Sequence, residues 1–84
     1  MASYDVYLHL ELLEVVPVRG EQRRLIMSFV RSLAEHPFTV GDFSDQDDVL
    51  RPRQIKIVGR YAVTYWADHP IKAVMIVDIR LADR

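Results

Sequence analysis

The chain of 84 residues has no cysteine, only three glycines and four prolines, and a formal net charge of −1. Without cysteine it can form neither a disulfide framework nor a thiolate metal site. The near balance of charge excludes a domain that is basic throughout, and no apolar run approaches the roughly 20 residues of a membrane-spanning helix. The first residues also lack the basic region and the long apolar stretch of a signal peptide, so we expect a cytoplasmic protein.

Hydrophobic residues make up half of the chain. Intrinsically disordered chains have lower hydrophobicity or higher net charge, so this composition predicts a folded core. The length suits one small domain and is too short for a second core. We therefore predict a single domain over residues 1–84.

Apolar periodicity predicts the helices and strands. An alternation with a period of two runs from Tyr4 to Leu10, and a stripe with the helical period runs from Leu25 to Leu33. The predicted strands cover 4–10, 53–58, 60–67 and 71–81, a short helical segment covers 11–16, and the main helix covers 20–36. Residues 37–52 are predicted to be mostly loop, because proline, glycine and aspartates interrupt any pattern there.

The connections between these elements predict how they assemble. The short turns around Gly59 and Pro70 leave no room for a crossover, so the three C-terminal strands must pair antiparallel. An amphipathic helix buries its apolar stripe against the face of a sheet. The sequence thus predicts an α+β fold. An N-terminal strand, a short helix and a long amphipathic helix pack on one face of an antiparallel sheet, which a C-terminal three-stranded meander completes.

Strand alternation assigns the side chains of the meander to two faces. The face expected to lie under the helix carries Ile55, Ile57, Val63, Tyr65, Ala73, Met75, Val77 and Ile79. The opposite face is expected to be open and to carry Lys56 and Arg80. An exposed apolar patch on that face would indicate a protein partner. The residues predicted to form this partner-binding patch are Val58, Trp66, Val74 and Ile76.

Charges are segregated along the chain. Four aspartates crowd residues 42–48, and Arg51, Arg53, Lys56 and Arg60 follow with no acidic residue between them. A local basic patch can bind phosphate even in a nearly neutral chain. The same segregation is typical of a solvated loop beside a solvated strand edge, and both interpretations stay open. The spacing of histidines and acids fits no metal site, and we predict neither a metal nor a cofactor.

Three stretches carry a resemblance to a known family: GEQRRLIMSFVRSLAEHP, QIKIVGRYAVTYWADH and KAVMIVDIR. The first looks like the second helix of the RelE/ParE-like toxins of bacterial toxin–antitoxin pairs. The other two look like the basic strand, the turn and the apolar last strand of these toxins. The resemblance covers nearly the whole chain. It implies a toxin neutralised by a cognate antitoxin, which either cleaves messenger RNA on the ribosome or inhibits DNA gyrase.

The resemblance also implies which residues act. The RNA-cleaving members use basic residues on the open sheet face, and Lys56 and Arg80 match two of these positions. Gln54 stands where a lysine is found in such members, and Ala62 stands where an arginine is found. The candidate phosphate-binding residues are Arg51, Arg53, Lys56, Arg60 and Arg80.

In-line cleavage of RNA needs cations at the phosphorane and groups that transfer protons. The candidate catalytic residues are therefore Lys56, Arg60, Arg80 and His69, although a histidine in a turn is more often only a solvated residue. Three functions stay open at this point. They are a ribosome-dependent messenger RNA endonuclease, a gyrase inhibitor, and a non-catalytic protein-interaction module with the same fold.

Overall fold

A computed structural model describes residues 3–82 of the chain. The helix α1 spans Glu21–Glu35, and two 3-10 helices span Leu10–Val15 and His69–Ile71. The strands within the described residues are β1 Asp5–Leu8, β2 Phe43–Gln46, β3 Pro52–Val58, β4 Tyr61–Asp68 and β5 Ala73–Leu81. Each predicted helix and strand therefore has a counterpart.

The strands form one sheet in the order β1-β5-β4-β3-β2. β1 runs parallel to β5, and the other neighbours are antiparallel. The predicted α+β fold is confirmed, but the sheet is mixed, because the connection from β1 back to the sheet is long enough to allow a parallel pair. The prediction of a loop was wrong for β2, whose residues are all exposed and so show no alternation.

The core lies between α1 and one face of the sheet, which we call the helix-side face. Ile26 and Leu33 of α1 are fully buried, and so are Val63 and Val74 of the sheet. The first 3-10 helix joins the same core through Leu13. The opposite face of the sheet, which we call the open face, is left without a covering element among residues 3–82.

A two-residue turn joins β3 to β4. Val58 pairs with Tyr61, so only Gly59 and Arg60 lie in the turn. Gly59 has a φ of 62°, a conformation that glycine adopts without strain. Gln22 of α1 holds this turn, because its Nε2 donates to the carbonyl oxygen of Val58 at 3.0 Å and its Oε1 accepts from the amide of Arg60 at 3.0 Å.

This turn reverses the predicted alternation on β3. When two residues form the turn, even-numbered residues of β3 face odd-numbered residues of β4. Lys56 therefore pairs with Val63 on the helix-side face, and Ile57 pairs with Ala62 on the open face. The predictions that Lys56 lies on the open face and that Ile55 and Ile57 lie under the helix were wrong.

A β-bulge reverses the alternation within β5. The pairing with β4 skips Val77, and such an extra residue changes the face on which the following side chains lie. Val74 and Ile76 before the bulge and Ile79 after it are all buried. Val77 itself is 38% exposed, and Met75 pairs with the open-face side chain of Trp66. The prediction that Met75 and Val77 are buried under the helix was wrong, whereas it is confirmed for Val63, Tyr65 and Ile79. Ala73 is buried too, but it shares the face of Met75, so its predicted place under the helix was also wrong.

Candidate functional site

A charged groove of about 500 Å³ crosses the open face. Its floor consists of small and apolar side chains from three neighbouring strands, namely Ile55, Ala62, Thr64 and Val77. Its walls are two arginine–aspartate pairs, one from β2 and β3 and one from β5. Of the four charged residues in this open-face groove, Arg53 and Arg80 were predicted site residues, whereas Asp45 and Asp78 were not.

The first pair joins Arg53 to Asp45 across the β2–β3 ladder, where the two residues are direct partners. Arg53 donates from Nε at 2.9 Å and from one terminal nitrogen at 2.8 Å to the two carboxylate oxygens. Such a two-pronged contact fixes the planar guanidinium. It also lowers the pKa of Asp45 below its ordinary value and raises that of Arg53.

The second pair lies within β5. Asp78 and Arg80 are two residues apart in the strand and so lie on the same face, and Arg80 Nε donates to Asp78 at 2.6 Å. The charge of Asp78 also reaches Arg53 and contributes to the raised pKa of that guanidinium. The four charges thus follow one another across the face with alternating sign: Asp45, Arg53, Asp78 and Arg80.

Arg51 directly precedes β3 and contacts Trp66, and both line a second cleft. Its guanidinium carbon sits 4.2 Å from the ring centroid of Trp66, close enough for a cation–π contact. It also forms an ion pair of 3.3 Å with Asp47. The backbone amides of Arg51 and Val49 donate to Asp47, and these hydrogen bonds, with the nearby guanidinium, lower the pKa of its carboxyl. Arg51 is therefore also held by an aspartate.

Lys56 lies on the other side of the sheet from this groove. Its Nζ is 3.7 Å from the carboxylate of Asp42, and the second oxygen of the same carboxylate accepts from the amide of Ile57 at 2.8 Å. Because Lys56 and Arg80 occupy opposite faces, the two cations do not converge on one phosphate. Arg60 lies in the β3–β4 turn, where it lines a shallow pocket together with Ile57 and Ala82.

His69 belongs to the second cleft, of about 680 Å³, at the end of the sheet. The hydroxyl of Tyr4 lies 2.9 Å from Nδ1 of His69, and the ring of Phe38 stacks on the imidazole with centroids 4.5 Å apart. Asp68 and Arg51 also line this cleft. His69 thus shares its cleft with one candidate cation, Arg51, and not with Lys56 or Arg80.

Three of the four predicted partner-binding residues are in the core. Val58, Val74 and Ile76 are at most 9% exposed, so the prediction that they form an exposed patch was wrong, for the reasons given by the turn and the bulge. Trp66 alone of the four lies on the open face, where Arg51 partly covers its ring.

Asp45 and Asp78 are the groove residues that sequence reasoning missed. The contact of Asp45 depends on β2, whose polar sequence gave no strand pattern. Asp78 carried a usable signal, because residues two apart in a strand share a face and opposite charges there attract. No group of three or more histidine or acidic side chains within residues 3–82 could hold a metal ion. In the same part of the chain, no helix combines the length and hydrophobicity needed to cross a membrane.

Comparisons with known proteins gave no match: no family model, no curated protein and no solved structure is significantly similar to this chain.

Proposed function

We propose that this protein is the toxin of a RelE/ParE-like toxin–antitoxin pair and that it inhibits growth by binding a cellular target through its open face, without cutting RNA there. The observation that carries the second part is the placement of Lys56 and Arg80 on opposite faces of the sheet. The first part is supported by the resemblance of its helix and meander sequences to these toxins.

The chemistry of RNA cleavage argues for binding rather than catalysis at the groove. A base, a cation and an acid must all reach the same phosphodiester. On the open face, both groove arginines are already bound to aspartates. Among residues 3–82, Thr64 is the one hydroxyl side chain that lines the groove. No histidine of the described part of the chain lines this groove, so none of its described side chains is of the type that titrates near neutral pH.

Expression of the protein from a tightly controlled promoter in a bacterial host tests this function. We expect growth arrest that a cognate antitoxin relieves. Arg80→Ala removes a charge from the groove and should relieve the arrest, whereas Lys56→Ala alters the other face and should leave the arrest intact. Unimpaired growth at strong expression of the wild type would contradict the proposal.

Two readouts in the arrested cells identify the mode of action. Binding without cleavage predicts intact messenger RNA, as seen by primer extension on abundant transcripts. A gyrase-directed toxin additionally predicts a loss of negative supercoiling in a reporter plasmid. Rapid cleavage of transcripts within codons would contradict the non-cleaving mode.

A second candidate function, messenger RNA cleavage, is favoured by the cleft around His69. The hydroxyl of Tyr4 occupies Nδ1, which leaves Nε2 as the nitrogen for proton transfer, and Arg51 supplies a cation to the same cleft. If this cleft cuts RNA, His69→Gln should abolish both growth arrest and transcript cleavage, while Arg80→Ala should preserve them. The two candidate functions therefore predict opposite results for the Arg80 variant.

A further inference from the structure

We propose that Asp45 and Asp78 determine the partner class of the open face: they exclude nucleic acid and select a protein surface that carries both signs of charge. This inference rests on the proposed function, since it names the kind of target that the same face takes. It concerns two residues that neither composition nor the family resemblance singled out.

The first step is the occupancy of the guanidinium groups. Asp45 takes two of the N–H directions of Arg53, at 2.9 and 2.8 Å, and Asp78 takes the Nε direction of Arg80 at 2.6 Å. Arginine recognises phosphate through the same forked set of donors. A phosphate that approaches either arginine must therefore displace a carboxylate from a charge-assisted contact.

The second step is the local charge. Two arginines and two aspartates give the groove no net charge, so the attraction that draws a phosphate backbone to a basic surface is missing. A phosphate close enough to contact Arg53 or Arg80 is also close to the neighbouring carboxylate, and the like charges repel. Building such repulsion against the wrong partner is a recognised source of specificity.

The third step is the kind of partner surface that is complementary to the groove. Alternating charges across one face match a protein surface with alternating charges of the opposite sign, and such complementarity fixes the register of two proteins. The groove floor adds apolar area through Ile55, Ala62 and Val77, as protein–protein interfaces require at their centre. A nucleic acid offers only negative charge along its backbone.

The test compares two double variants that change the net charge equally. Asp45→Asn with Asp78→Asn removes both groove carboxylates while preserving their shape. The control, Asp48→Asn with Glu35→Gln, removes two exposed carboxylates for which no ion pair is found within residues 3–82. Binding of the full chain to a fluorescent single-stranded RNA of about 20 nucleotides is measured by anisotropy as a function of salt, at a site size suited to one small domain.

We expect weak RNA binding by the wild type and by the control, and at least tenfold tighter binding by the groove variant. Two newly freed arginines should also steepen the plot of log affinity against log salt by about 1.4, since each phosphate contact on a single strand contributes about 0.7. Equal gains in both variants, no gain in either, or tight binding by the wild type would each overturn the inference. If the double variant does not unfold cooperatively and is therefore not properly folded, the single variant Asp78→Asn replaces it in the RNA-binding measurement. Half of the change in slope is then expected.

Growth arrest provides an independent readout of the protein partner. The groove variant should lose the arrest, because its complementary charges are gone, whereas the control variant should keep it. Retention of full arrest by the groove variant would overturn the choice of a protein partner. A wild type that never arrests growth refutes the proposed function but leaves the RNA measurement able to decide the role of the two aspartates.

Discussion

On the helix-side face of the sheet, Val63 of β4 and Val74 of β5 are fully buried, and the neighbouring core side chains come from α1. On the open face, the same two strands present Ala62 and Arg80 to a groove that crosses the strands. Adjacent residues of one strand thus serve different purposes. The helix-side face removes apolar area from water, which is the main source of folding free energy, and the open face displays paired charges whose contribution to folding is small.

This contrast teaches where stability and recognition can be changed independently. Substitutions on the helix-side face should alter the free energy of unfolding, whereas substitutions of the open-face charges should alter binding and leave the fold intact.

The largest contrast is expected between two isoleucines of the sheet. Ile79→Ala removes a side chain that is 4% exposed and should lower the free energy of unfolding by about 3 kcal/mol, which is the usual cost of such a cavity. Ile57→Ala removes the same atoms from the open face, where burial is partial, and should cost about 1 kcal/mol. Urea unfolding followed by tryptophan fluorescence measures both values. Equal losses for the two variants would show that the open face is covered in solution.

Most helices and strands could be predicted from the periodicity of apolar residues, because this periodicity is clear wherever only one face of an element is buried. The stripe of α1 and the alternation of β1 are both visible in the sequence, and the short connections fixed the antiparallel meander. β2 escaped detection because all of its residues are exposed, so nothing imposes alternation on them.

The faces were harder to predict than the strands, since a single residue decides them. The turn at Gly59 has two residues, and one residue more or fewer would move Lys56 to the opposite side of the sheet. The bulge at Val77 has the same effect within β5. Neither feature changes the apolar content of the strands, so the pattern alone left both undetermined, and with them the placement of the candidate site.

An intermediate contrast is expected between two polar side chains. Gln22→Ala removes both hydrogen bonds that hold the β3–β4 turn against α1 and should destabilise the fold by about 1–2 kcal/mol, given the net worth of each bond. Arg53→Ala removes a two-pronged ion pair at the surface and should destabilise the fold less than Gln22→Ala does, because exposed ion pairs are screened by water and salt. Chemical denaturation compares the two variants, and a larger loss for the arginine variant would mean that the open-face charges stabilise the fold.

The smallest effect concerns the pH dependence of stability, which tests whether the hydroxyl of Tyr65 on the helix-side face is shielded from water. Burial, with a smaller contribution from the charge of Asp42, raises the pKa of Tyr65 to about 12 from 10.0, and the hydroxyl donates to the carbonyl oxygen of Thr39 at 3.0 Å. Because the folded-state pKa exceeds the unfolded value, the stability that the proton provides is fully present below pH 10 and is lost as the pH rises from 10 towards 12. Tyr65→Phe should cost about 1 kcal/mol at pH 8, and the difference between wild type and variant should shrink only above pH 10. A difference that instead stays constant up to pH 11.5 would mean that the hydroxyl is reached by water, and hence that this end of the helix-side face is as open as the groove.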